Sequence, residues 1–554
     1  MSNRVGSAYS YRQIGMLVCS AMVFLGVLDA QVVSGWPFAG GDIENSRFGA
    51  SESILGVSNV GALVPQWIYV TKNDVSATPS IDAASNGVYF PDWSGNMNKL
   101  NASTGAVIWQ HNVTEYGLPQ GAMSRSTPTL AGGLVIFGAS GILGGTAASP
   151  AYLNAVDPNS GDLVWQLEID TNTKTIMTGS PVVYNNVIYV GVSSSEETLA
   201  NPTFRGSVVA VALSSGTLLW QTYMVPSGYS GGPVWSTTPA VDVTRNQLYV
   251  TTGNNYLVPA SVEECEQKAD DNPEQVLACQ SKANFADAIV ALDLTTGKVK
   301  WAKRCSAQDN YVLACNRNLP SCPDPKGKDW DFGAGANFFT VEIQGTPTDI
   351  VGAGQKSGMY WALNPDNGEV VWKTHVGPGG ILGGIQWGTA VDGEQVYVAM
   401  ANSTHASYTL EPSGMTWNGG SWAALNAATG EIVWQVPDPG LDPLNPANPA
   451  DSLASVTVAN GVVYVASMSG AMYALNASSG STLWSYEAPG SVNAAPSVFG
   501  GVLYWGSGYH NFPRGNPVGT ASNRFYSFAL PDSGLKDRSP KTAAERTHSY
   551  LAGR

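Results

Sequence analysis

The sequence predicts an all-β fold, an eight-bladed β-propeller made of four-stranded antiparallel blades. Three observations predict it: a phrase of about twelve residues recurs along the chain, every copy ends in Trp, and each end of the chain carries half of a further copy. Repeats with a period of about 40–50 residues are typical of propellers and related repeat folds. The 554 residues are therefore expected to form one closed object and not several domains.

The recurring phrase indicates a strand, a turn and a second strand. In "ALNAATGEIVWQ" (424–435) and "KLNASTGAVIWQ" (99–110), a small apolar strand end leads into a polar turn, with Gly where φ must be positive, and then into alternating residues ending in Trp. Five further copies start at residues 155, 210, 291, 362 and 474. Strand pairs such as "GSPVVYNNVIYVGVS" (179–193) precede most copies, which makes the unit four strands.

The eighth blade is split between the two ends of the repeat region. "NRFYSFALPDSG" (523–534) begins a copy that it does not finish, and "GALVPQWIYV" (61–70) finishes one that it does not begin. Pairing the N-terminal strand with the last blade removes exposed sheet edges. We expect eight tryptophans to pack between neighbouring blades: Trp67, Trp109, Trp165, Trp220, Trp301, Trp372, Trp434 and Trp484.

The composition excludes two classes of partner. The formal net charge is -15 and no Lys/Arg-rich cluster occurs, so nucleic acid and anionic membrane surfaces are poor partners. A basic electron-transfer protein is compatible with this charge. Short strands with Gly turns and aromatic packing account for the 62 Gly, the 17 Trp and the 12% charged residues.

Both termini are expected to lie outside the propeller, which we place at residues 31–530. Residues 1–30 carry two Arg and then the apolar run "IGMLVCSAMVFLGVL", which predicts a secretory signal peptide and thus a secreted or periplasmic protein. The alternative is an uncleaved anchor, but the run is shorter than the roughly 20 residues that span a bilayer. Residues 531–554 are polar without apolar periodicity and predict a disordered tail.

Of the six cysteines, Cys19 lies in the apolar N-terminal run, and the other five lie between residues 265 and 322. In an oxidising compartment we expect disulfides there, with one cysteine left over because five is odd. No C-x-x-C-H motif occurs, so the sequence predicts no covalently attached haem.

Polar residues follow three apolar strands, where the repeat does not require them: "YVGVSSSEE" (189–197), "YVTTGNN" (249–255) and "GKDWDFGAGANFF" (327–339). Carboxylate and amide oxygens that converge on the propeller axis would suit Ca²⁺ better than a soft metal. Taken singly, each stretch is also consistent with a solvated loop, a turn residue or a local cap.

The repeat units "A-L-D/N-x-x-x-G-x-x-x-W" resemble those of the quinoprotein alcohol dehydrogenases over about residues 36 to 530. That family holds pyrroloquinoline quinone (PQQ) over Ca²⁺ in an eight-bladed propeller. "SSSEE", "GGPVWSTTPAVD" and "GGIQWGTAVDG" are most similar to the polyvinyl-alcohol-dehydrogenase-like branch. The chain lacks the adjacent Cys pair that is usual in the family, and has Asn201-Pro202 where the branch often shows one.

The resemblance implies a site made of eight residues. By motif they are the metal ligands Glu196, Asn254 and Asp331, the cofactor contacts Arg125, Thr178, Ser193, Trp235 and Lys356, and the catalytic residues Asp331 and Lys356. Trp235 would form the floor under the quinone, and Arg125, Thr178 and Ser193 would bind its carboxylates. Two of these residues have structural alternatives, since Trp235 is also consistent with a core tryptophan and Lys356 with a solvated lysine at a strand end.

The resemblance further implies a PQQ- and Ca²⁺-dependent oxidation of an alcohol, secondary or polymeric alcohols included, to a carbonyl compound. Asp331 would take the hydroxyl proton, and an external acceptor such as cytochrome c would take the electrons. Gly333 stands where lanthanide-dependent relatives carry a second Asp, which favours Ca²⁺. The alternatives are an inactive propeller that binds proteins or polysaccharide, and a quinoprotein that oxidises sugars or polyols.

Overall fold

The structure is a computed structural model, and it describes residues 34–141, 150–235, 238–269, 272–510 and 518–531. Within these ranges eight antiparallel sheets follow one another along the chain, each with four main strands. The strands are Ser80–Asp82, Gly87–Pro91, Asn96–Asn101 and Val107–Asn112 in blade 1; Thr129–Ala131, Leu134–Ala139, Tyr152–Val156 and Leu163–Glu168 in blade 2; Val182–Tyr184, Val187–Ser194, Ser207–Ala212 and Leu218–Tyr223 in blade 3; Ala240–Asp242, Gln247–Thr251, Ala288–Asp293 and Val299–Arg304 in blade 4. They are Asn337–Ile343, Thr346–Gly354, Met359–Leu363 and Val370–His375 in blade 5; Ala390–Val391, Gln395–Met400, Ser421–Asn426 and Ile432–Pro437 in blade 6; Thr457–Ala459, Val462–Ala466, Ala471–Asn476 and Thr482–Glu487 in blade 7; Ser497–Phe499, Val502–Gly506, Arg524–Ala529 and Val64–Val70 in blade 8.

Smaller elements decorate this ring. Gly35–Trp36 extends blade 1 and Thr175–Ile176 extends blade 3, while two short ribbons pair Ser230–Gly231 with Asn255–Leu257 and Tyr408–Leu410 with Met415–Trp417. The α-helices are Ala260–Ala269 and Pro273–Cys279; the 3-10 helices are Val60–Ala62, Val113–Tyr116, Glu196–Thr198 and Leu313–Arg317. Neither α-helix of the described chain has the length and hydropathy needed to cross a bilayer.

The predicted closure of the ring is confirmed. Val64–Val70 pairs antiparallel with Arg524–Ala529, so the N-terminal strand completes the last blade. The indole N–H of Trp484 in blade 7 donates to the carbonyl of Leu63 at 3.0 Å, and that of Trp67 in blade 8 donates to Ala102 of blade 1 at 3.1 Å. The chain is thus continuous around the ring without an open sheet edge at the seam.

The eight predicted tryptophans lie between neighbouring blades, as expected. Each indole N–H donates to a backbone carbonyl of the following blade, at 2.8 to 3.1 Å. The ring of Trp165 also lies against the turn Gly of the next copy, where a Cβ at Gly216 would be 2.6 Å from Cε3. The repeat therefore requires Gly at this position for two reasons. The φ of Gly216 is +69°, and the neighbouring tryptophan leaves no room for a side chain.

The N-terminal segment, residues 34–52, contacts the blades one after another close to the axis. Gly35–Trp36 pairs with Ile81–Asp82 of blade 1, and Glu52 accepts a hydrogen bond from the Gly501 N–H of blade 8 at 2.8 Å. Between these points, innermost strands donate backbone N–H groups to the segment: Leu130 to Pro37, Val241 to Ile43, Phe338 to Glu44, Val391 to Ser46 and Val458 to Arg47. These bonds hold Arg47 inside the propeller.

The cysteines form two disulfides, Cys265–Cys279 and Cys315–Cys322, and Cys305 is free. The prediction that one cysteine of the five is left over is confirmed. The proposed signal peptide (1–30) and all but one residue of the proposed tail (531–554) lie outside the described residues.

Candidate active site

A cavity of about 330 Å³ opens among loops that connect strands of several blades. It is lined by Arg125, Thr178, Glu197, Trp235, Asn316, Asp329, Gly333, Lys356, Gln386, Trp387, Ser403 and Thr404, together with the apolar residues Ile176, Leu313, Ile381, Leu382 and Val518. Charged groups and an aromatic wall thus share a cleft of the size that ligand sites usually have.

Lys356 is the centre of charge of this cavity. Its Nζ lies 2.6 Å from Oδ1 of Asp331 and 3.1 Å from Oδ1 of Asp329, and all three side chains are largely buried. Burial lowers the pKa of Lys356, but the two carboxylates outweigh it and raise the pKa above the ordinary lysine value. Lys356 is therefore a buried, charged partner of the carboxylates and not a solvated lysine.

Asn254 and Asp331 each hold a buried oxygen without a hydrogen-bond partner among the described residues. The Nδ2 of Asn254 donates to the carbonyls of Asn255 and Tyr311, both at 2.9 Å, while its Oδ1 has no hydrogen-bond partner among the described residues. The Oδ2 of Asp331 likewise has no hydrogen-bond partner there, and a Cβ at Gly253 would lie 2.8 Å from it. Gly253 therefore packs against Asp331, and the next residue, Asn254, holds a buried amide oxygen without a partner among the described residues.

The predicted ligand Glu196 is not among the residues that line the cavity. Its carboxylate accepts from the backbone N–H groups of Thr203 and Phe204, both at 2.5 Å, and from Asn172 Nδ2 at 2.7 Å. The next residue, Glu197, lines the cavity instead, and burial raises its pKa to about 7. The 3-10 turn Glu196–Thr198 points two consecutive side chains in different directions, which the sequence motif alone does not resolve.

Trp235 lies against the acidic group and is not one of the eight packing tryptophans. Its Nε1 would be 2.9 Å from a Cβ at Gly253, the same position that approaches Asp331, and its ring lines the cavity. Trp387 is a second indole in this wall. Trp387 was not among the predicted site residues. It precedes a blade and lies outside the repeat phrase, and this position could have indicated a role at the site.

Arg125, Thr178 and Ser193 come together at the other side. Thr178 Oγ1 lies 3.4 Å from Ser193 Oγ, and the buried Ser193 hydroxyl donates to the Ile176 carbonyl at 3.1 Å. Arg125 lines the cavity and donates to the Tyr509 hydroxyl at 3.0 Å. The structure thus brings seven of the eight predicted residues to one region, with Ser193 directly behind Thr178.

Asp329 is a further cavity residue that was not among the predicted site residues. Its backbone adopts φ +58°, and its carboxylate forms an ion pair with Lys356. Burial raises the pKa of Asp329 well above the ordinary carboxyl value. Its position two residues before Asp331 favoured the interpretation as a local cap. The contact with Lys356, 27 residues away, depends on the fold.

The eight-bladed fold of the described chain is that of the quinoprotein dehydrogenases among solved structures. The family profile "Glucose/ethanol/alcohol dehydrogenase, beta-propeller domain" matches residues 171–378, which hold every predicted site residue except Arg125. The profile "Outer membrane protein assembly factor BamB" matches residues 66–207 and 418–512, which are mainly blade repeats.

Relatives that match most of this chain indicate which branch of these dehydrogenases it resembles. The chain is 30% identical over 533 residues to the polyvinylalcohol dehydrogenase of Pseudomonas sp, covering 87% of this chain and 74% of the relative. It is 28% identical to that of Sphingopyxis sp. strain 113P3, with 84% and 71% covered. The crystal structure of the quinohemoprotein alcohol dehydrogenase from Comamonas testosteroni superposes with a TM-score of 0.62 at 19% identity, covering 92% of this chain and 82% of that chain. The chain belongs to the PQQ-dependent alcohol dehydrogenase family, the enzymes of which oxidise alcohols.

Proposed function

We propose that this chain is a secreted dehydrogenase that uses PQQ and Ca²⁺ to oxidise an alcohol, secondary and polymeric alcohols included, and delivers the electrons to an external acceptor. One observation carries the proposal: Lys356 and Asp331 form a buried ion pair, and both Asp331 and the Trp235 indole pack against Gly253 at the wall of one cavity.

The residues present fit the quinone. Its flat ring needs an aromatic surface, which Trp235 offers, and its carboxylates need a cation and hydroxyl donors, which Arg125 and Thr178 offer on the same wall. Lys356 provides a second cation at the acidic end of the cavity. These groups match the size, the charge and the planarity of the cofactor.

The residues also fit Ca²⁺, with Glu197 instead of the predicted Glu196. Glu197, Asn254 and Asp331 offer only oxygen donors, the kind that Ca²⁺ prefers. No cluster of three His, Cys, Asp or Glu side chains stands ready as a metal site in the described ranges, so we expect cofactor oxygens to complete the coordination. A Cβ at Gly333 would lie 2.5 Å from the Gln386 carbonyl, which leaves no room for a second Asp.

When bound, PQQ would supply the hydride acceptor and Ca²⁺ the positive charge that polarises its reactive carbonyl. The chain's own part is proton transfer and positioning. Asp331 would accept the hydroxyl proton of the alcohol, and Lys356, whose Nζ lies 2.6 Å from Asp331 Oδ1, would hold this carboxylate in position. The apolar residues Ile176, Leu313 and Ile381 would hold the carbon skeleton and exclude water.

The relatives guide the choice of substrate and acceptor. Two of them are named for polyvinyl alcohol, a polymer of secondary alcohols, so we propose that secondary and polymeric alcohols enter this cavity. The sequence has no C-x-x-C-H motif, so we propose an external carrier such as cytochrome c as the acceptor; the net charge of -15 suits a basic one.

The test is reconstitution of the purified chain with PQQ and Ca²⁺, followed by reduction of an acceptor dye with 2-butanol and with poly(vinyl alcohol). Asp331→Asn should reduce turnover by roughly 10²–10⁴-fold, the usual worth of a positioned base, while the PQQ absorbance band of the bound cofactor is retained. Asp329→Asn is the matched comparison, because it removes the other carboxylate from Lys356. Full activity of Asp331→Asn would refute the assigned base, and failure to bind PQQ would favour the scaffold interpretation.

A further inference from the structure

A second, smaller cavity of about 60 Å³ lies on the propeller axis, next to the larger one, and the two share the lining residues Arg125, Thr178, Trp235 and Trp387. Residues that lead into the innermost strands line it from several blades: Ser76 and Thr78 of blade 1, Thr127 of blade 2, Ser180 of blade 3 and Ser455 of blade 7. The space is too small for a tricyclic cofactor but holds a single small ion or a few waters.

Arg47 points its guanidinium into this cavity. The side chain is 2% exposed, and its Nε and Nη1 have no hydrogen-bond partner among the described residues. No described carboxylate lies within the 4.0 Å ion-pair distance of Arg47. The nearby Asp42 is engaged by the N–H and the hydroxyl of Ser46.

The backbone fixes this arginine in place. Arg47 adopts φ +54°, its N–H donates to the Gly40 carbonyl at 2.8 Å, and its carbonyl accepts from Val458 N–H at 3.0 Å. A Cβ at Gly388 would lie 2.7 Å from the Arg47 Nε, so the fold reserves space for the guanidinium. Burial lowers the pKa of Arg47 to about 10, which leaves the group charged at neutral pH.

The hydroxyls around the cavity are set up as donors. Ser76 Oγ already accepts the Trp93 indole N–H at 2.8 Å, and Ser180 Oγ accepts the Thr127 N–H at 2.9 Å. Their O–H hydrogens remain to donate elsewhere, and the cavity has no carboxylate in its wall. A buried charge is costly unless an opposite charge accompanies it, and the wall of this cavity holds Arg47 and Arg125 beside hydroxyls and the Asn493 amide, without a carboxylate.

We propose that the axial cavity binds one small inorganic anion, of which chloride is the probe, between the Arg47 guanidinium and the hydroxyls of Ser76 and Ser180. The anion neutralises the arginine and joins the N-terminal segment to the inner strands of the ring. Binding therefore stabilises the folded chain, and it requires neither the quinone nor the metal.

The test uses the full-length protein without cofactor. Thermal unfolding is followed in sodium chloride and in sodium gluconate at equal ionic strength, because gluconate is too large for the cavity. Chloride is expected to raise the Tm saturably by about one to a few degrees over gluconate. Arg47→Met should abolish the difference, while Lys72→Met, which removes an exposed charge, should keep it.

A second measurement decides the case in which Arg47→Met does not fold. Crystals of the wild-type chain soaked in bromide should show an anomalous peak within about 3.5 Å of the guanidinium nitrogens. Equal Tm values in chloride and gluconate, or crystals without a bromide peak at Arg47, would overturn the proposal and leave water as the occupant.

Discussion

Glu196 and Glu197 are adjacent carboxylates, and replacing each by Gln should produce two separate defects. Glu196 is 4% exposed and accepts three hydrogen bonds of 2.5 to 2.7 Å from Thr203 N–H, Phe204 N–H and Asn172. Bonds to a charged group contribute about 1.5–3 kcal/mol each, and Gln keeps a neutral acceptor for some of them. We expect Glu196→Gln to lower the free energy of unfolding by about 2–4 kcal/mol.

Glu197 behaves differently, because its carboxylate has no hydrogen bond among the described residues and the charge of Lys356 only partly offsets its burial. Its pKa is raised to about 7, so at pH 8 its ionised form costs stability when no cation is bound. Glu197→Gln should leave the metal-free chain as stable as the wild type, or more stable. It should weaken Ca²⁺ binding by at least the 10–100-fold that is typical of losing a partner around a metal.

Two assays separate these effects. Denaturant unfolding of the metal-free protein at pH 8 measures stability, and calorimetric titration with Ca²⁺ in the presence of PQQ measures metal affinity. If Glu196→Gln loses Ca²⁺ affinity at unchanged stability while Glu197→Gln binds Ca²⁺ normally, the positions of the two side chains described above are wrong.

Two further predictions concern the blades. In denaturant unfolding, Gly216→Ala should destabilise the fold by about 1–3 kcal/mol more than Gly414→Ala. Both glycines have φ near +70°, but only Gly216 contacts a tryptophan. Equal losses of stability would contradict the packing argument. Burial raises the pKa of Asp451 to about 7, so the folded state holds a proton that the unfolded state has released and stability falls as pH rises from about 4 to 7. Asp451→Asn should therefore raise the Tm at pH 8 and leave it unchanged at pH 4; a lower Tm at pH 8 would show that the ionised carboxylate is stabilising.

The blades were predictable because their signals are local. Each copy of the repeat carries its own turn Gly and its own Trp, and the half copies at 61–70 and 523–534 indicated how the ring closes. The second role of Gly216, which is to make room for Trp165 of the preceding blade, is not local and appears only in the packing.

The site was predictable by motif but not in its details. Glu196 and Glu197 follow the same strand, and which one faces the cavity depends on a 3-10 turn and on N–H donors seven and eight residues away. The course of residues 34–52 around the axis was also missed, because this segment does not repeat and its partners are spread over the whole chain. Arg47 consequently gave no sequence signal.

The most direct test of the central claim is a crystal structure of this chain soaked with PQQ and Ca²⁺. We expect electron density for the quinone ring on the Trp235 indole, and an ion about 2.3–2.6 Å from oxygens of Asn254, Asp331 and Glu197. A quinone bound elsewhere, or an ion held by Glu196 with Glu197 turned away, would contradict it.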